Sequence, residues 1–496
     1  MCRVVLLVIA LLFICNSVAL PHHTLGTEPI SVHPNTLRLV DEHFREVNFH
    51  GMNVVVKSFP WIPDLVNFNV ETSFNAKDME TFQELGFNGI RLGTMWPGVE
   101  PERDQYNMTY LQSLKQLVTD AETYGIYSLL DMHQDVMSEK FCGEGVPLWA
   151  AIPANDSLFP WPMSPIYNAS VSGIPTPEEC ALQSWSSYYF TQATGSAFQN
   201  LYDNNYGLRD SWANFWENVA LTFADTGAAV LGYELMNEPW AGDAVANITL
   251  MLPGVADRVN LQKMWDVGAE SIRSVDESHA IFFEGVTWDW VGVGFTDVPG
   301  GSKWRNKSVL SYHFYKPPDF SIEVQFAARA DDMKRLQCGG FLTEAWVYDW
   351  AVLDKCDAVA QSWLLWEYKP FFGPKTGFSN SIWNSNGTLN VEYVSMLSRT
   401  YAKIVAGTTL VQNFNNVTKA YLLVFKGDKL VTTNTTKIYL NEAVHYPNGF
   451  DVVVSTSQGS DYVSWAHTAR NHIDVQHNLA VIGENSTVTI TVVPSA

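Results

Sequence analysis

The chain has 496 residues, enough for an α/β barrel of 250 residues or more and a second domain. Its 30 basic and 52 acidic residues give a net charge of −22, so nucleic acids and anionic membrane surfaces are excluded as partners. Aromatic residues make up 13% of the chain and include 18 Trp, which favours a site that stacks sugar rings or apolar chains.

Residues 1–19 predict a cleaved secretory signal. Arg3 precedes the apolar run Val4–Ile14, and the small-residue ending Ser17-Val18-Ala19 follows. The run is shorter than the roughly 20 residues that a membrane-spanning helix needs. We therefore expect a secreted, extracellular protein, with a digestive lumen or a lysosome-like compartment as alternatives. Nine glycosylation sequons agree with this route: Asn107, Asn155, Asn168, Asn247, Asn306, Asn386, Asn416, Asn434 and Asn485.

Eight short apolar runs alternate with amphipathic stretches from His50 onward, which predicts repeated β-α units around a parallel sheet. We predict strands at Phe49–Val56, Gly89–Leu92, Ile126–Asp131, Val230–Met236, Ala280–Glu284, Val309–Phe314, Gly340–Thr343 and Ser362–Trp366. Helical spacing of apolar residues marks Ala76–Leu85, Tyr110–Tyr124, Ser211–Ala224 and Leu261–Val275. The fold class is therefore α/β, with a (β/α)8 TIM barrel over residues 30–405.

The interval from Cys142 to Trp185 is too long and too rich in Pro and aromatic residues for an ordinary loop between a strand and a helix. Long insertions at this end of a barrel shape the substrate site. Outside the signal the chain keeps Cys142, Cys180, Cys338 and Cys356, an even number in an oxidising compartment. We predict the bridges Cys142–Cys180 and Cys338–Cys356, although the sequence leaves three pairings open. No pair has the close spacing of a zinc site, so we expect no metal.

After about Lys403 the pattern changes to short alternating runs separated by Asn, Gly and Thr. They lie at Ala420–Phe425, Ile438–Leu440, Phe450–Val454, Tyr462–Trp465 and Thr487–Val493. This pattern predicts a C-terminal antiparallel β-sandwich over residues 406–496, with a structural role.

Two glutamates follow predicted strands where barrel enzymes carry their catalytic groups. Glu238, in Asn237-Glu238-Pro239, closes the fourth strand, and Glu344 ends the seventh. Cleavage of a glycosidic bond with retention requires one carboxyl group to protonate the leaving oxygen while another attacks the anomeric carbon. A pair of carboxylates that face one pocket from two strand ends can meet this requirement.

Asn-Glu-Pro after the fourth strand, with a second Glu after the seventh, resembles glycoside hydrolase family 5. The resemblance implies that Glu238 is the acid/base, that Glu344 is the nucleophile, and that Asn237 binds the sugar 2-hydroxyl. The rival carboxylates are Glu367 and, more weakly, Glu284. In the family a Trp follows the eighth strand, and Trp366 keeps that order if Glu344 is the nucleophile. One departure is Ala345-Trp346, where family members often have Phe-Gly.

The other strand ends resemble the sugar-binding shell of the family. Trp366 is expected to stack on the sugar. The expected hydrogen-bonding or charged partners of the sugar or the nucleophile are Lys57, Arg91, His133, Asp135, His313 and Tyr315.

Within the family the chain resembles the endoglycoceramidases, which release an intact oligosaccharide from the ceramide of a glycosphingolipid. The resemblance rests on the barrel with its C-terminal sandwich, on the segment Asp131-Met132-His133-Gln134-Asp135, and on Trp366-Glu367-Tyr368-Lys369. It implies a glycosphingolipid substrate, presented in a micelle or membrane. We expect no cofactor and no protein partner.

A ceramide leaving group requires an apolar wall beside the catalytic pair. Candidates in the loops are Phe159, Trp161, Met163, Trp288, Trp290, Val291, Phe295, Phe371 and Phe372. Three alternatives stay open: an exo-acting glucosyl- or galactosylceramidase, a β-glucanase or mannanase with an open aromatic cleft, and a catalytically inactive carbohydrate-binding protein. The intact glutamate pair argues against the last.

Overall fold

A closed barrel of eight parallel strands forms the centre of the computed structural model, which describes residues 27–167, 173–287, 291–316, 321–346, 350–371 and 381–495. Three strands of two residues precede it: β1 Ser31–Val32, β2 Leu39–Val40 and β3 Glu46–Val47. The barrel strands are β4 His50–Val54, β5 Gly89–Gly93, β6 Tyr127–Asp131, β7 Val230–Glu234, β8 Ala280–Glu284, β9 Ser308–Phe314, β10 Gly339–Ala345 and β11 Trp363–Leu365. Strand β11 pairs with β4 and closes the ring. The predicted (β/α)8 barrel is confirmed.

Helices surround the barrel, as the apolar spacing predicts. Their bounds are α1 Ala76–Leu85, α2 Trp96–Val99, α3 Met108–Glu122, α4 Pro177–Cys180, α5 Gln192–Tyr202, α6 Leu208–Phe223, α7 Gln262–Arg273, α8 Ile322–Leu336, α9 Trp350–Ala358, α10 Val391–Leu397 and, in the C-terminal region, α11 Glu442–His445. Helix α1 begins where the Asn75 side chain accepts the Lys77 N–H, and it ends at Gly86, whose φ of 81° suits glycine. Among the described helices, none is both long enough and apolar enough to cross a bilayer.

Apolar side chains fill one end of the barrel. Phe49 precedes β4, Phe282 lies in β8 and Phe341 in β10, and all three are fully buried in one cluster with Leu129 and Leu364. The Phe341 ring centroid lies 6.0 Å from that of Phe49 and 5.8 Å from that of Phe282. Because these residues come from different sides of the ring of strands, they meet inside the barrel. Side chains of β1 and β2 join this cluster, which closes the amino-terminal end of the barrel.

Two antiparallel sheets follow the barrel and enclose a second apolar core, as predicted. Their strands are β12 Tyr401–Val405, β13 Thr408–Phe414, β14 Tyr421–Lys426, β15 Thr435–Tyr439, β16 Phe450–Thr456, β17 Val463–Ala469, β18 His472–His477 and β19 Thr487–Pro494. Seven strands form one sheet in the order β1-β2-β3-β12-β15-β18-β17, and four form the other in the order β13-β14-β19-β16.

The seven-stranded sheet combines strands from before the barrel with strands from after it. In it Val47 of β3 pairs with Ile404 of β12. The sequence-based boundary between residues 405 and 406 therefore falls too late, because β12 already belongs to this sheet, and β1–β3 lie in the sheet rather than in the barrel. The sequence misses β1–β3 because strands of two residues have no periodicity, and it misses β12 because that strand is buried on both faces.

The sheet packs against the amino-terminal end of the barrel. The His50 ring stacks between Trp363 and Tyr401, with centroid distances of 4.3 and 3.6 Å. The Tyr401 hydroxyl donates to the carbonyl oxygen of Gly86 at 2.7 Å. The opposite end of the barrel is left free for the loops that follow the strands.

One of the two predicted disulfides is present. Cys142 and Cys180 are bonded and tie the start of the long insertion to helix α4. The predicted Cys338–Cys356 bridge is wrong, because both thiols are free and fully buried. Cys338 immediately precedes β10, whereas Cys356 lies in the following helix α9, and each packs in the main apolar core. Burial raises the pKa of Cys338 to about 12, so the group behaves as a small apolar side chain.

Candidate active site

Arg91 of β5 connects the polar side chains at the carboxyl-terminal end of the barrel. It is fully buried and makes an ion pair with Glu234 of β7. Its Nη1 donates to Glu344 Oε2 at 2.9 Å, and its Nη2 donates to Asn237 Oδ1 at 2.8 Å and lies 3.1 Å from Asp131 Oδ1. The guanidinium fork therefore fixes the position of the Glu344 carboxylate and balances its charge.

Tyr315 orients the other oxygen of Glu344. Its hydroxyl donates to Glu344 Oε1. Burial, then the charge of Glu344, raises the pKa of Tyr315 well above its ordinary value, so the phenol remains a donor. Glu344 is thus held by two donors, Arg91 and Tyr315, and its side chain retains 8% exposure at the site.

Glu238 follows β7 and has a different environment. Its Oε1 lies 2.9 Å from Nδ1 of His313, and its side chain is 15% exposed. Burial, then the negative charge of Asp135, raises the pKa of Glu238 to about 7. Burial lowers the pKa of His313 to about 4, so this imidazole is neutral near neutral pH. Glu238 therefore keeps a proton under conditions where an ordinary glutamate has lost it.

The two glutamates face each other across a short gap. One oxygen of Glu238, one ring nitrogen of His313 and one oxygen of Glu344 lie within 4.8 Å of one another. Retaining glycosidases hold their two carboxyl groups about 5–5.5 Å apart, whereas inverting enzymes leave room for a water between them. The described geometry fits the retaining class.

Lys57 lies in a second polar group near Glu238 and Glu344. Its ammonium contacts Asp135, lies 3.2 Å from Glu144 Oε1 and lies 4.5 Å from the centre of the Trp366 ring. Burial alone would lower the pKa of Lys57, but the charges of Asp135 and Glu144 outweigh burial and raise it. Burial alone would raise the pKa of Asp135, but the charge of Lys57 outweighs burial and lowers it. Burial raises the pKa of Glu144 to about 7. This group offers charged donors and acceptors to sugar hydroxyls next to an aromatic face.

His133 links the two polar groups. Its Nδ1 lies 2.8 Å from Asp131 and its Nε2 lies 3.4 Å from Asp135. The ring stacks on Trp366 with an interplanar angle of 15°. Burial alone would lower the pKa of His133, but the Asp131 carboxylate outweighs it and raises the pKa to about 9. His133 is therefore a cation that supports the floor of the site.

The structure brings all ten predicted binding and catalytic residues into these contacts. They are Lys57, Arg91, His133, Asp135, Asn237, Glu238, His313, Tyr315, Glu344 and Trp366. The rival carboxylates lie elsewhere. Glu367 is 1% exposed and its charge acts on Tyr393, while Glu284 lies behind Glu238 and accepts its backbone N–H.

The predicted apolar wall is only partly present in the described residues. Phe295 and Phe371 are buried, and Phe159 and Met163 pack against the core. The Phe159 ring contacts Phe141, Tyr167 and Tyr188, because aromatic rings in the insertion bury one another. Trp161 and Val291 are exposed, whereas Trp288, Trp290 and Phe372 lie outside the described residues.

A cluster beside Glu344 adds Trp61 and Trp346, which the sequence did not single out as site residues, to the predicted Tyr315 and Trp366. Val55, Met95 and Trp366 form a small cluster, and partly buried Trp61, Trp346 and Tyr315 pack on it. Tyr315 and Trp346 meet edge to face at 5.5 Å. Trp61 stands in an irregular loop, where no periodic pattern indicates which side chains reach the site.

Three further polar residues of the site also escaped sequence reasoning. Asn53 accepts from Arg91 at 3.0 Å, Glu234 pairs with the same guanidinium, and Glu144 contacts Lys57. A signal existed for the first two, because a polar residue in an apolar barrel strand is unusual. Glu144 lies in the insertion, and only its backbone bridge to Asp135 brings it to the site.

Comparison with known proteins gives two family matches and several close relatives. The family described as "Cellulase (glycosyl hydrolase family 5)" matches residues 40–364, and the glycoside hydrolase family 5 C-terminal domain matches residues 399–492. A Hydra vulgaris protein named "Endoglycoceramidase" is 47% identical over 85% of this chain and 82% of its own length. A Cyanea nozakii protein of the same name is 45% identical over 94% of this chain and 93% of its own length.

The fold is similar to that of a solved bacterial enzyme. Endo-glycoceramidase II from Rhodococcus sp., solved as its lactosyl-enzyme intermediate, superposes with a TM-score of 0.72 at 22% identity. The match covers 92% of this chain and the whole of that chain. The barrel with its C-terminal sheets is therefore a shared architecture.

Proposed function

Because the chain belongs to glycoside hydrolase family 5, we propose that it is a retaining endo-β-glycosidase that hydrolyses the bond between oligosaccharide and ceramide in glycosphingolipids. The observation that carries the proposal is the pair of facing glutamates in opposed environments. Glu238 has a pKa raised to about 7, and Glu344 is fixed by Arg91 and Tyr315. The choice of substrate is supported by two cnidarian relatives named endoglycoceramidase.

In the first step a Glu344 oxygen attacks the anomeric carbon of the sugar attached to ceramide. Glu238 gives its proton to the glycosidic oxygen as that bond breaks, so ceramide leaves as a neutral alcohol. The sugar remains esterified to Glu344 with inverted configuration. Glu238 is then a carboxylate beside neutral His313.

In the second step a water molecule replaces ceramide on the same face of the sugar. Glu238 removes its proton while the oxygen attacks the anomeric carbon, and the ester bond to Glu344 breaks. The second inversion restores the β configuration, and both glutamates return to their starting states. The intact oligosaccharide is released.

The polar groups around the pair would hold the sugar. Asn237 is fixed by Arg91 and by its own donation to the Gln134 carbonyl at 2.9 Å, so its remaining amide hydrogen is free to point toward the 2-hydroxyl. Lys57, Asp135 and Glu144 would bind further hydroxyls while Trp366 stacks on a sugar face. The aromatic cluster around Trp61 and Trp346 would contact the apolar leaving group or the sugar it carries.

The test is incubation of the purified protein with a lactose-headed ganglioside in detergent, followed by mass spectrometry of both products. Intact oligosaccharide together with free ceramide supports the proposal. Release of single hexoses would instead indicate an exo-acting glycosidase. No cleavage of the ganglioside, combined with activity on β-glucan, would indicate a polysaccharidase.

We also propose that the protein is secreted and N-glycosylated. The signal pattern in residues 1–19, the sequons and the Cys142–Cys180 bond support this location. Expression in an animal cell line, with N-terminal sequencing of protein from the medium, tests it. Retention of the whole chain inside the cells would contradict it.

A further inference from the structure

A third carboxyl group lies directly behind the acid/base residue. Glu284 ends strand β8, the neighbour of β7 in the barrel, and it is 5% exposed. Its Oε2 accepts the backbone N–H of Glu238 at 2.9 Å. Its Oε1 lies 3.6 Å from Nδ1 of His313, the same nitrogen that lies 2.9 Å from the Glu238 side chain. Glu284 is therefore close to both the backbone and the side-chain partner of the acid/base.

The backbone of Glu238 needs such a partner. Its φ is +40°, in the left-handed region that residues with a side chain rarely adopt. Conformations of this kind persist only where the surroundings hold them. The carbonyl groups of Asn237 and Glu238 both accept from Gln134 Nε2, at 2.7 and 2.9 Å, and the N–H of Glu238 donates to Glu284. The Gln134 side chain thus holds the carbonyl groups of the turn, and the Glu284 side chain holds its N–H group.

Burial and the neighbouring carboxylates disfavour the ionised form of Glu284. Burial, followed by the negative charges of Glu238 and Glu234, raises the pKa of Glu284 well above its ordinary value. The backbone N–H of Glu238 and the charge of Arg91 act in the opposite direction, and His313 is neutral. The N–H of Glu238 needs only one oxygen acceptor at this position, and the carbonyl oxygen of an amide can also supply it.

We propose that Glu284 is a positioning residue for the acid/base step: it holds the left-handed backbone of Glu238 so that the carboxyl group of Glu238 reaches the glycosidic oxygen. Glu284 does not touch the substrate. Its effect is confined to proton transfer and leaves the attack by Glu344 untouched. This inference rests on the proposed function.

The test compares two substrates that differ in their need for a proton. Ceramide leaves as a poor alkoxide unless Glu238 protonates it, whereas 2,4-dinitrophenolate leaves unaided. The ratio of kcat/KM on lactosylceramide to kcat/KM on 2,4-dinitrophenyl β-lactoside therefore measures acid catalysis. Because both values come from one preparation, the ratio is independent of the fraction of folded enzyme.

Glu284→Met keeps the length of the side chain and removes the acceptor. We expect it to lower the ratio on the order of 10²-fold, within the range that general acid catalysis contributes. Glu284→Gln keeps a carbonyl oxygen and is expected to keep the wild-type ratio. If the Met variant does not fold, Glu284→Asp, which shortens the side chain by one methylene, should also lower the ratio.

Glu100 provides a matched control, because this buried glutamate also accepts a backbone N–H, that of Asp104 at 2.7 Å. Glu100→Met is expected to leave the ratio unchanged even if it lowers stability. An unchanged ratio in the folded Met or Asp variants would overturn the inference, because a purely structural role lowers both rates equally. Wild-type protein that cleaves neither substrate would instead refute the proposed function.

Discussion

The two ends of the barrel are built from the same eight strands but differ in chemistry. At the amino-terminal end Phe49, Phe282 and Phe341 pack without any charge, and β1–β3 cover them. At the carboxyl-terminal end buried Arg91 faces Asp131, Glu234 and Glu344. Apolar packing lowers the free energy of the fold, whereas buried ion pairs add little to it and are costly to disrupt. Stability and reactivity are therefore separated along the barrel axis.

The largest effect should come from removing the nucleophile at the charged end. Glu344→Ala is expected to lower kcat on the order of 10⁴-fold or more, because it removes the carboxylate that is proposed to attack the anomeric carbon. Azide should restore turnover of an activated lactoside by attack from the vacated face, giving a sugar product of inverted configuration. Polarimetry or NMR of the product measures this outcome.

Glu367→Gln is the matched control for that experiment. Glu367 is a buried carboxylate one residue after Trp366, and its charge acts on Tyr393. We expect this variant to keep most of its kcat. A dead Glu367→Gln enzyme beside an active Glu344→Ala enzyme would exchange the two assignments.

The next largest effect is expected at the apolar, amino-terminal end of the barrel. Phe341→Ala leaves a cavity between Phe49 and Phe282 and should cost about 3–5 kcal/mol of unfolding free energy. Activity per folded molecule should stay close to that of wild type, because the substituted ring lies in β10 at the far end from Glu344. Urea denaturation with active-site titration separates the two quantities. A large loss of kcat in fully folded protein would show that the two ends are coupled.

A smaller effect tests whether the core of the C-terminal sheets, like the amino-terminal end of the barrel, is most stable without a charge. His477, in β18, is 2% exposed, and within the described chain its ring nitrogens have no hydrogen-bond partner. Burial lowers the pKa of His477 to about 4. As the pH falls from 6.5 the unfolded chain takes up a proton before the folded chain does, so stability is lost between about pH 6.5 and 4.

His477→Phe should therefore reduce the acid sensitivity of the protein. At pH 4.5 the gain is expected to be up to about 3 kcal/mol, and at pH 7.5 the variant should differ little from wild type. Thermal denaturation at both pH values measures the difference. An equal change at the two pH values would indicate packing rather than protonation.

The smallest effect concerns the pH profile of the charged end. Glu238 acts in its protonated form, so kcat/KM should fall as the pH rises through about 7. Asp135 is the strongest charge that raises the pKa of Glu238. Asp135→Asn removes that charge and should move the basic limb of the profile to lower pH, on the order of one unit.

Glu144→Gln is the control for this shift, since it changes the other carboxylate partner of Lys57. We expect it to move the basic limb less than Asp135→Asn does. The shift is read from kcat/KM between pH 5 and 9. A basic limb that stays in place in Asp135→Asn would remove Asp135 as the cause of the raised pKa.

The barrel and the grouping of the ten candidate site residues could be predicted because they follow a repeated pattern. Each strand is an apolar run, and each candidate side chain except Asp135 and Glu238 lies within three residues of a strand end, as Asn237 and Tyr315 do. The residues that were missed depend on contacts between distant segments. Glu144 reaches Lys57 through a backbone bridge from an irregular insertion.

Two other residue assignments were wrong or incomplete for a similar reason, because they depend on contacts in the folded chain. An even number of cysteines suggested two bridges, but Cys338 and Cys356 point into apolar packing, where a thiol needs no partner. Glu284 was considered only as a rival nucleophile. A sequence shows which strand carries a carboxyl group, but not that its oxygen accepts the N–H of Glu238.

The pairing of Val47 with Ile404 sets the order in which the chain can assemble. During synthesis the ribosome releases β1–β3 first, yet their partner strand β12 emerges only after the whole barrel has been made. Strand β3 must therefore wait for its partner β12 until the barrel has been translated. A segment made after the barrel thus completes the sheet that a segment made before it begins, and a nascent chain halted before residue 401 would carry an unsatisfied edge on β3 for chaperones to protect.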